Sequence, residues 1–375
     1  MNRTITVVGG GLGGLATAAL LGRAGHKVTL VEGNEWLGGK SRRIEVAGQR
    51  IDTGPSLVTF PGVWQQILET WDSLGDGPSA ETIAGVKLER LPEVGRYYFR
   101  GQAANLPVEE GHPWHAAWQR FQHEHGGLGE AITTLLTKDP WDPGIFGAGK
   151  ELLKRYGTRL TTKSYLDGLD WMPHDLKDVI SIHTLNAGVS PDQTLALYAT
   201  MAAVMAEDGV FVPKGGVYEI AQGLENLARA AGVDLHTGEH VLSVTPGVVT
   251  TAAATYSSDY VVSAVDGGIL EGLMGKRSAP PRKLSCSGVA IFGVLEEELP
   301  ADIVTHSVMM PEEPEALFRS LGKRQRPQET MAFLNYYRAG DIYPNTQPVA
   351  ALLLTAPPDG KACSFEDDFV QRESR

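Results

Sequence analysis

The stretch ITVVGGGLGGLATAALLGRAGHKVTLVE, residues 5–32, decides the fold. Its two ends are short runs of β-branched and apolar residues with the character of buried strands, and Leu12 to Ala24 between them reads as a helix stopped by Gly25. Strand, glycine turn, helix, strand is a βαβ unit, which predicts a parallel sheet. Gly9, Gly11 and Gly14 form G-x-G-x-x-G at the turn. The first glycine permits the tight turn, the second lets backbone approach a pyrophosphate, and the third allows close helix packing. The helix N-terminus, through the amides of Leu12 and Gly13, then offers unpaired N–H groups and a positive dipole end to phosphate. Glu32 closes the second strand, where a carboxylate accepts the ribose hydroxyls of an adenosine and repels a 2′-phosphate, which argues against NADP.

Two plainer readings compete. The glycines could serve only turn and packing roles. Thr4 to Gly22 could also be a secretory h-region. Against the second, Gly9, Gly10, Gly11, Gly13, Gly14 and Gly22 are costly in a signal helix, and another buried strand follows at once.

Working outward, Glu32 is followed by five residues and then Gly38-Gly39-Lys40. The whole run resembles the flavin-containing amine oxidase and phytoene desaturase superfamily, in which E-x(5)-GG-[RK] follows the second strand. The resemblance implies FAD as cofactor, with Gly39 and Lys40 lining its phosphate and ribose. GQRIDTGPSLVTFPGVW (48–64) narrows the family, because Asp52-Thr53-Gly54-Pro55-Ser56 looks like the D-x-GP-[ST] run of bacterial carotenoid desaturases. Gly54, Pro55 and Ser56 are therefore carried over as cofactor-side residues. Residues 182–235 resemble the same family's central block, with G-x-SP at 188–191 and P-x-GG at 213–216 before an amphipathic helix. HVLSV (240–244) is similar to the strand whose backbone holds adenine, so Val241 is an expected FAD contact, and SDYVVSAVD (258–266) resembles the strand that re-enters the flavin domain.

The expected fold class is α/β, α+β overall: a Rossmann-like FAD-binding domain with a parallel sheet, and an interleaved substrate domain of helices and a mixed sheet. The expected boundaries are 1–71 and 210–270 for the first, 72–209 and 271–375 for the second. The family continues to a glycine-rich strand and helix over the flavin ring, which nothing in these residues resembles. The resemblance implies dehydrogenation of a hydrophobic polyene such as phytoene or a hydroxylated carotenoid. Other readings are an amine or porphyrinogen oxidase of the same fold, and an inactive nucleotide-binding or interaction protein.

The net charge of −12 gives no basic field for nucleic acid and makes any membrane contact local. Cys286 and Cys363 are the only cysteines and lie in no CxxC or Cys/His pattern, so neither a disulfide framework nor a metal site is expected, and a reducing cytoplasm fits best. No apolar run reaches the roughly 18 residues of a membrane span. Peripheral attachment would use a local surface in 110–165. There Trp114, Trp118 and Phe121 share one stripe of a helix predicted over 113–125, a stripe that fits core packing better than a membrane face. Lys150, Lys154, Arg155, Arg159 and Lys163 accompany Leu152, Leu153 and Tyr156. His112, His115, His123 and His125 make no tidy ligand pair and are expected in solvent. Asp139 and Asp142 in DPWDPG read as loop punctuation rather than an acid/base pair. Ser263 and His183 suggest no triad, and no catalytic residue is assigned.

Overall fold

The computed structural model describes residues 2–277, 284–358 and 367–373. The chain divides into two compact units, one made of Met1–Glu89, Val212–Arg282 and Ile342–Pro344, the other of Arg90–Phe211, Lys283–Asp341 and Asn345–Arg375.

The first unit is built on the opening βαβ. β1 (Thr4–Val8) and β2 (Lys27–Val31) pair in parallel, and α1 (Leu12–Arg23) connects them. Strand Tyr260–Ser263 adds in parallel to the outer edge of β1, and Asp234–His236 to that of β2, giving a four-stranded parallel sheet. Side chains alternate across a strand, so Val7 and Leu30 both turn into the core that Leu15, Ala18 and Ala19 of α1 complete. Helix Tyr218–Ala230 lays Leu224, Leu227 and Ala228 into the same core, and Trp64, Leu68 and Trp71 come from helix Pro61–Ser73. Small residues set this approach: a Cβ on Gly22 would stand 2.9 Å from Cβ of Ala231. A three-stranded antiparallel sheet, Val241–Thr245, Val248–Thr251 and Thr255–Ser257, and the hairpin Arg43–Val46/Gln49–Asp52 finish the unit.

The second unit carries a six-stranded mixed sheet. Its order is Ser287–Val294, Val349–Ala356, Ala332–Tyr337, His306–Met309, Gly95–Phe99 and Gln102–Leu106. Only the pairing of His306–Met309 with Gly95–Phe99 is parallel. A helical region accompanies it. The helix predicted over 113–125 spans His115–His125, and its stripe is core: Trp114, Trp118 and Phe121 are all buried. At roughly 2 kcal/mol for each large apolar side chain, such a stripe anchors a helix. These tryptophans therefore offer nothing to a membrane.

His125 corrects the expectation of solvated histidines. It is buried beneath the same stripe, with Nδ1 on the Phe121 carbonyl at 2.8 Å and Nε2 on the Tyr165 hydroxyl at 2.6 Å. His183 and His306 are buried too, His183 against the Tyr97 hydroxyl at 2.9 Å and His306 facing Asn335. Burial disfavours the imidazolium and pushes His125 and His183 down to about 4 and His306 to about 3. Cys286 is a half-buried free thiol, whereas Cys363 lies outside the described residues. No helix among the described residues is long and apolar enough to cross a membrane.

These three histidines are neutral in the fold and take up protons once unfolded below their usual pKa. The unfolded state then binds more protons, so stability is full above pH ~6.5 and falls toward pH 4 by about 1.4 kcal/mol per pH unit per histidine. Urea unfolding at pH 7 and pH 5 should show this loss, and His125→Phe should remove part of the slope.

Candidate functional site

The glycine turn is held by backbone and by one carboxylate. Gly9 donates its N–H to the Val31 carbonyl at 2.9 Å, and a Cβ there would meet Val265 at 2.9 Å. Gly10 donates to Oε2 of Glu32 at 2.6 Å inside the protein. Gly11 caps α1 without a side-chain bond, and a Cβ on it would touch nothing within 4 Å. On Gly14 a Cβ would stand 1.9 Å from the Gly9 carbonyl oxygen, so only glycine lets α1 start so close to the loop. No acidic side chain occupies the first turn, whose amides have no intrahelical acceptor. This is an open cradle of N–H donors at a positive helix end, suited to a pyrophosphate.

Glu32 is only 7% exposed. Its Oε1 accepts from the Asn34 backbone N–H at 2.8 Å and from the Asn34 side-chain amide at 2.7 Å. The loop ahead of strand Val241–Thr245 is stitched to the same corner, since Glu239 N donates to the Glu32 carbonyl at 2.9 Å and Gly238 N to that of Asn34 at 2.8 Å. Val241 heads that strand, half-buried, and packs with Val8 and Val249.

Of the next two sequence motifs, the Gly38-Gly39 run packs on the turn and the Gly54 run packs on Lys40 and Ser41 behind it. Gly38 donates to the Gly10 carbonyl at 2.8 Å, and a Cβ on Gly39 would lie 3.0 Å from Cα of Gly11. Trp36 bonds the Gly39 carbonyl through Nε1 at 3.3 Å and lies under the Arg42 guanidinium, fixing that turn. Gly54 backs onto the following residues, with a Cβ 2.3 Å from the Lys40 carbonyl oxygen. Lys40, Gly54 and Pro55 are exposed and Ser56 is half-buried. Gly9, Gly11, Leu12, Gly13, Gly14, Glu32, Gly39, Lys40, Gly54, Pro55, Ser56 and Val241 all belong to this one unit.

Sequence reasoning missed Arg43. Its guanidinium pairs with Asp52 at 2.7 Å and Glu219 at 2.8 Å, donates to the Gly215 carbonyl at 2.5 Å, and lies over the Tyr218 ring. Burial works against its charge, but the bonds to both carboxylates outweigh this and hold the group protonated. Asp52 also accepts the Tyr218 N–H at 2.9 Å at the start of helix Tyr218–Ala230. The carboxylate of the D-x-GP-[ST] run is thus engaged in joining that run to the P-x-GG turn. The signal available in sequence was the hairpin register that sets Arg43 opposite Asp52.

In the second unit, Asp139 accepts the Trp141 N–H and Asp142 caps helix Pro143–Tyr156 through Gly144 N, so both punctuate the loop.

A parallel sheet, a glycine turn with open N–H donors and a carboxylate beside it define a dinucleotide-binding fold. Residues 12–295 match the family described as flavin containing amine oxidoreductase, and the chain belongs to that family. Its cofactor is FAD, which the adenosine-side geometry fits. The phytoene desaturase of Fusarium fujikuroi is 24% identical over 364 residues, covering 89% of this chain and 62% of that one. The carotenoid 3,4-desaturase of Haloarcula japonica is 30% identical over 259 residues, 63% of this chain and 49% of that one. The chain thus spans between about half and 62% of the length of these relatives. Among solved structures, the CLA-producing fatty acid isomerase from P. acnes superposes with a TM-score of 0.62 at 16% identity, covering 98% of this chain and 80% of that one.

Glu32→Ala should weaken FAD binding by roughly 10- to 100-fold, because it removes a charged acceptor and releases the Gly10 amide. Lys40→Ala, at an exposed position, should cost less than about 5-fold. Flavin fluorescence titration compares the two. Gly14→Ala should abolish FAD binding, since its methyl has no room.

Proposed function

We propose that the protein is an FAD-dependent oxidoreductase that desaturates a carotenoid such as phytoene or a hydroxylated derivative. The observation that carries this reading is the alignment with a phytoene desaturase across 89% of the chain. The D-T-G-P-S run and the 182–235 block support it.

In this reading the G-x-G-x-x-G amides hold the pyrophosphate and Glu32 the adenosine ribose. Gly39 and Lys40 line phosphate and ribose, Gly54 to Ser56 stand beside them, and the Val241 backbone meets adenine. Bound FAD supplies the acceptor for a hydride. The carbon left behind is an allylic cation, and loss of a proton from its neighbour forms the new double bond. The protein's task is to align the C–H bond in a dry site and accept that one proton. Expression in a host that accumulates phytoene should shift the extracted pigment to visible absorption, and Glu32→Ala should suppress the shift. Oxidation of an amine or porphyrinogen with phytoene untouched would overturn the reading.

We also propose peripheral attachment to an anionic bilayer, which suits an oily substrate. It is supported by helices Gly129–Thr137 and Pro143–Tyr156, not by the buried Trp114 and Trp118. Helix Pro143–Tyr156 buries Ala148, Leu152 and Tyr156, which leaves Phe146 70% and Leu153 62% exposed on another face. Leu136 in the last turn of the preceding helix is 61% exposed, and Trp141 in the connection is 86% exposed. Lys138, Lys150, Lys154 and Arg155 are exposed nearby. Their charge complements anionic headgroups while the aromatic side chains enter the interface. Flotation with phosphatidylglycerol vesicles should recover the protein, and Trp141→Ser with Phe146→Ser should lower the bound fraction by about 10-fold. Failure of the unaltered chain to float, or a double variant that merely turns a dimer into a monomer, would count against a lipid partner.

A further inference from the structure

The Glu32 carboxylate is nearly full before any cofactor is considered. Oε1 accepts two N–H groups, both from Asn34, at 2.8 and 2.7 Å. Oε2 accepts one, from Gly10, at 2.6 Å. A carboxylate offers about four lone-pair sites, so three donors leave about one, and it lies on Oε2. Because a carboxylate only accepts, the nitrogen end of the Asn34 amide must be the end that faces it. The Asn34 backbone is itself anchored, since its main-chain carbonyl accepts the Gly238 N–H at 2.8 Å.

We propose that Asn34 is a positioning residue that makes Glu32 a one-hydroxyl receptor: with Oε1 occupied by Asn34, the carboxylate accepts a single ribose hydroxyl through Oε2. The inference rests on assigning Glu32 to the adenosine ribose, and it is independent of the polyene reading. It separates two roles that the carboxylate could otherwise combine. Oε1 fixes the orientation of the group against its own loop, and Oε2 joins the Gly10 amide to the nucleotide. A pair of ribose hydroxyls gripped by both oxygens would need Asn34 to let go of Oε1.

The test uses the full chain stripped of flavin, with ADP, 2′-deoxy-ADP and 3′-deoxy-ADP titrated by calorimetry. In the unaltered protein one deoxy analogue should bind roughly 10-fold or more weakly than ADP, while the other stays within about 2-fold. Asn34→Ala should weaken ADP by roughly 5- to 10-fold and shrink the contrast between the two analogues to about 2-fold, because Oε1 keeps only the backbone N–H of residue 34 and regains one acceptor site for the second hydroxyl. Asn34→Asp keeps the side-chain size but sets an acceptor against an acceptor, so it should bind ADP more weakly than Asn34→Ala. A residue that merely filled space would give the opposite order. Thermal unfolding of each variant checks that the fold is retained. Equal losses for both deoxy analogues in the unaltered chain would overturn the inference. So would Asn34 variants that bind all three nucleotides as the unaltered chain does. If ADP fails to bind, or Glu32→Ala leaves its binding unchanged, the ribose assignment falls and the inference with it.

Discussion

The Gly10 amide and the Glu32 carboxylate meet at 2.6 Å within the protein. A glycine loop has no side chains with which to hold its shape, and a buried carboxylate is costly unless donors surround it. Each need answers the other. The two Asn34 donors complete the set around Glu32. The Gly38 amide on the Gly10 carbonyl then fastens the neighbouring turn to the same point. The glycine loop after β1, the Glu32 carboxylate and the Gly38-Gly39 turn are consequently one preorganised object rather than three adjacent motifs.

Arg43 does for the outer part of the unit what Glu32 does for the inner part. It holds Asp52, Glu219 and the Gly215 carbonyl together, and Gly216 is pressed against the Asp52 carboxylate so closely that a Cβ would stand 2.3 Å from it. Such a half-buried ion pair contributes geometry more than net stability, because desolvation offsets much of its Coulomb energy. Its removal leaves Asp52 without its cation and frees the turn that begins helix Tyr218–Ala230.

Features set by local chemistry were readable from residues alone. The βαβ unit announces itself through glycine placement and apolar runs, and Trp114, Trp118 and Phe121 follow the helical period of a buried stripe. The interaction of Arg43 with Glu219 joins positions 176 residues apart, and no periodicity encodes it. Exposure was equally hidden around residue 141. Helix Pro143–Tyr156 contains apolar residues on more than one face, and only packing decided that Ala148, Leu152 and Tyr156 go inside while Phe146 and Leu153 do not. His125 was misjudged for the same reason. A polar residue at the end of a buried stripe follows the stripe when a hydroxyl and a carbonyl await it. Asn34 drew no notice because a polar residue three positions after a strand looks like ordinary turn chemistry.

The parallel sheet of the first unit takes its inner strands from residues 4–31 and its outer strands from 234–236 and 260–263. During synthesis, then, β1 and β2 leave the ribosome first and present two bare edges. Their partners follow only after roughly 10 to 50 s at ordinary elongation rates. Throughout that interval the apolar strands are templates for the wrong neighbour, and closing so long a loop is a slow step even when the partners exist. Yield of folded protein should therefore be governed by chaperone supply and growth temperature more than by the final stability of the sheet.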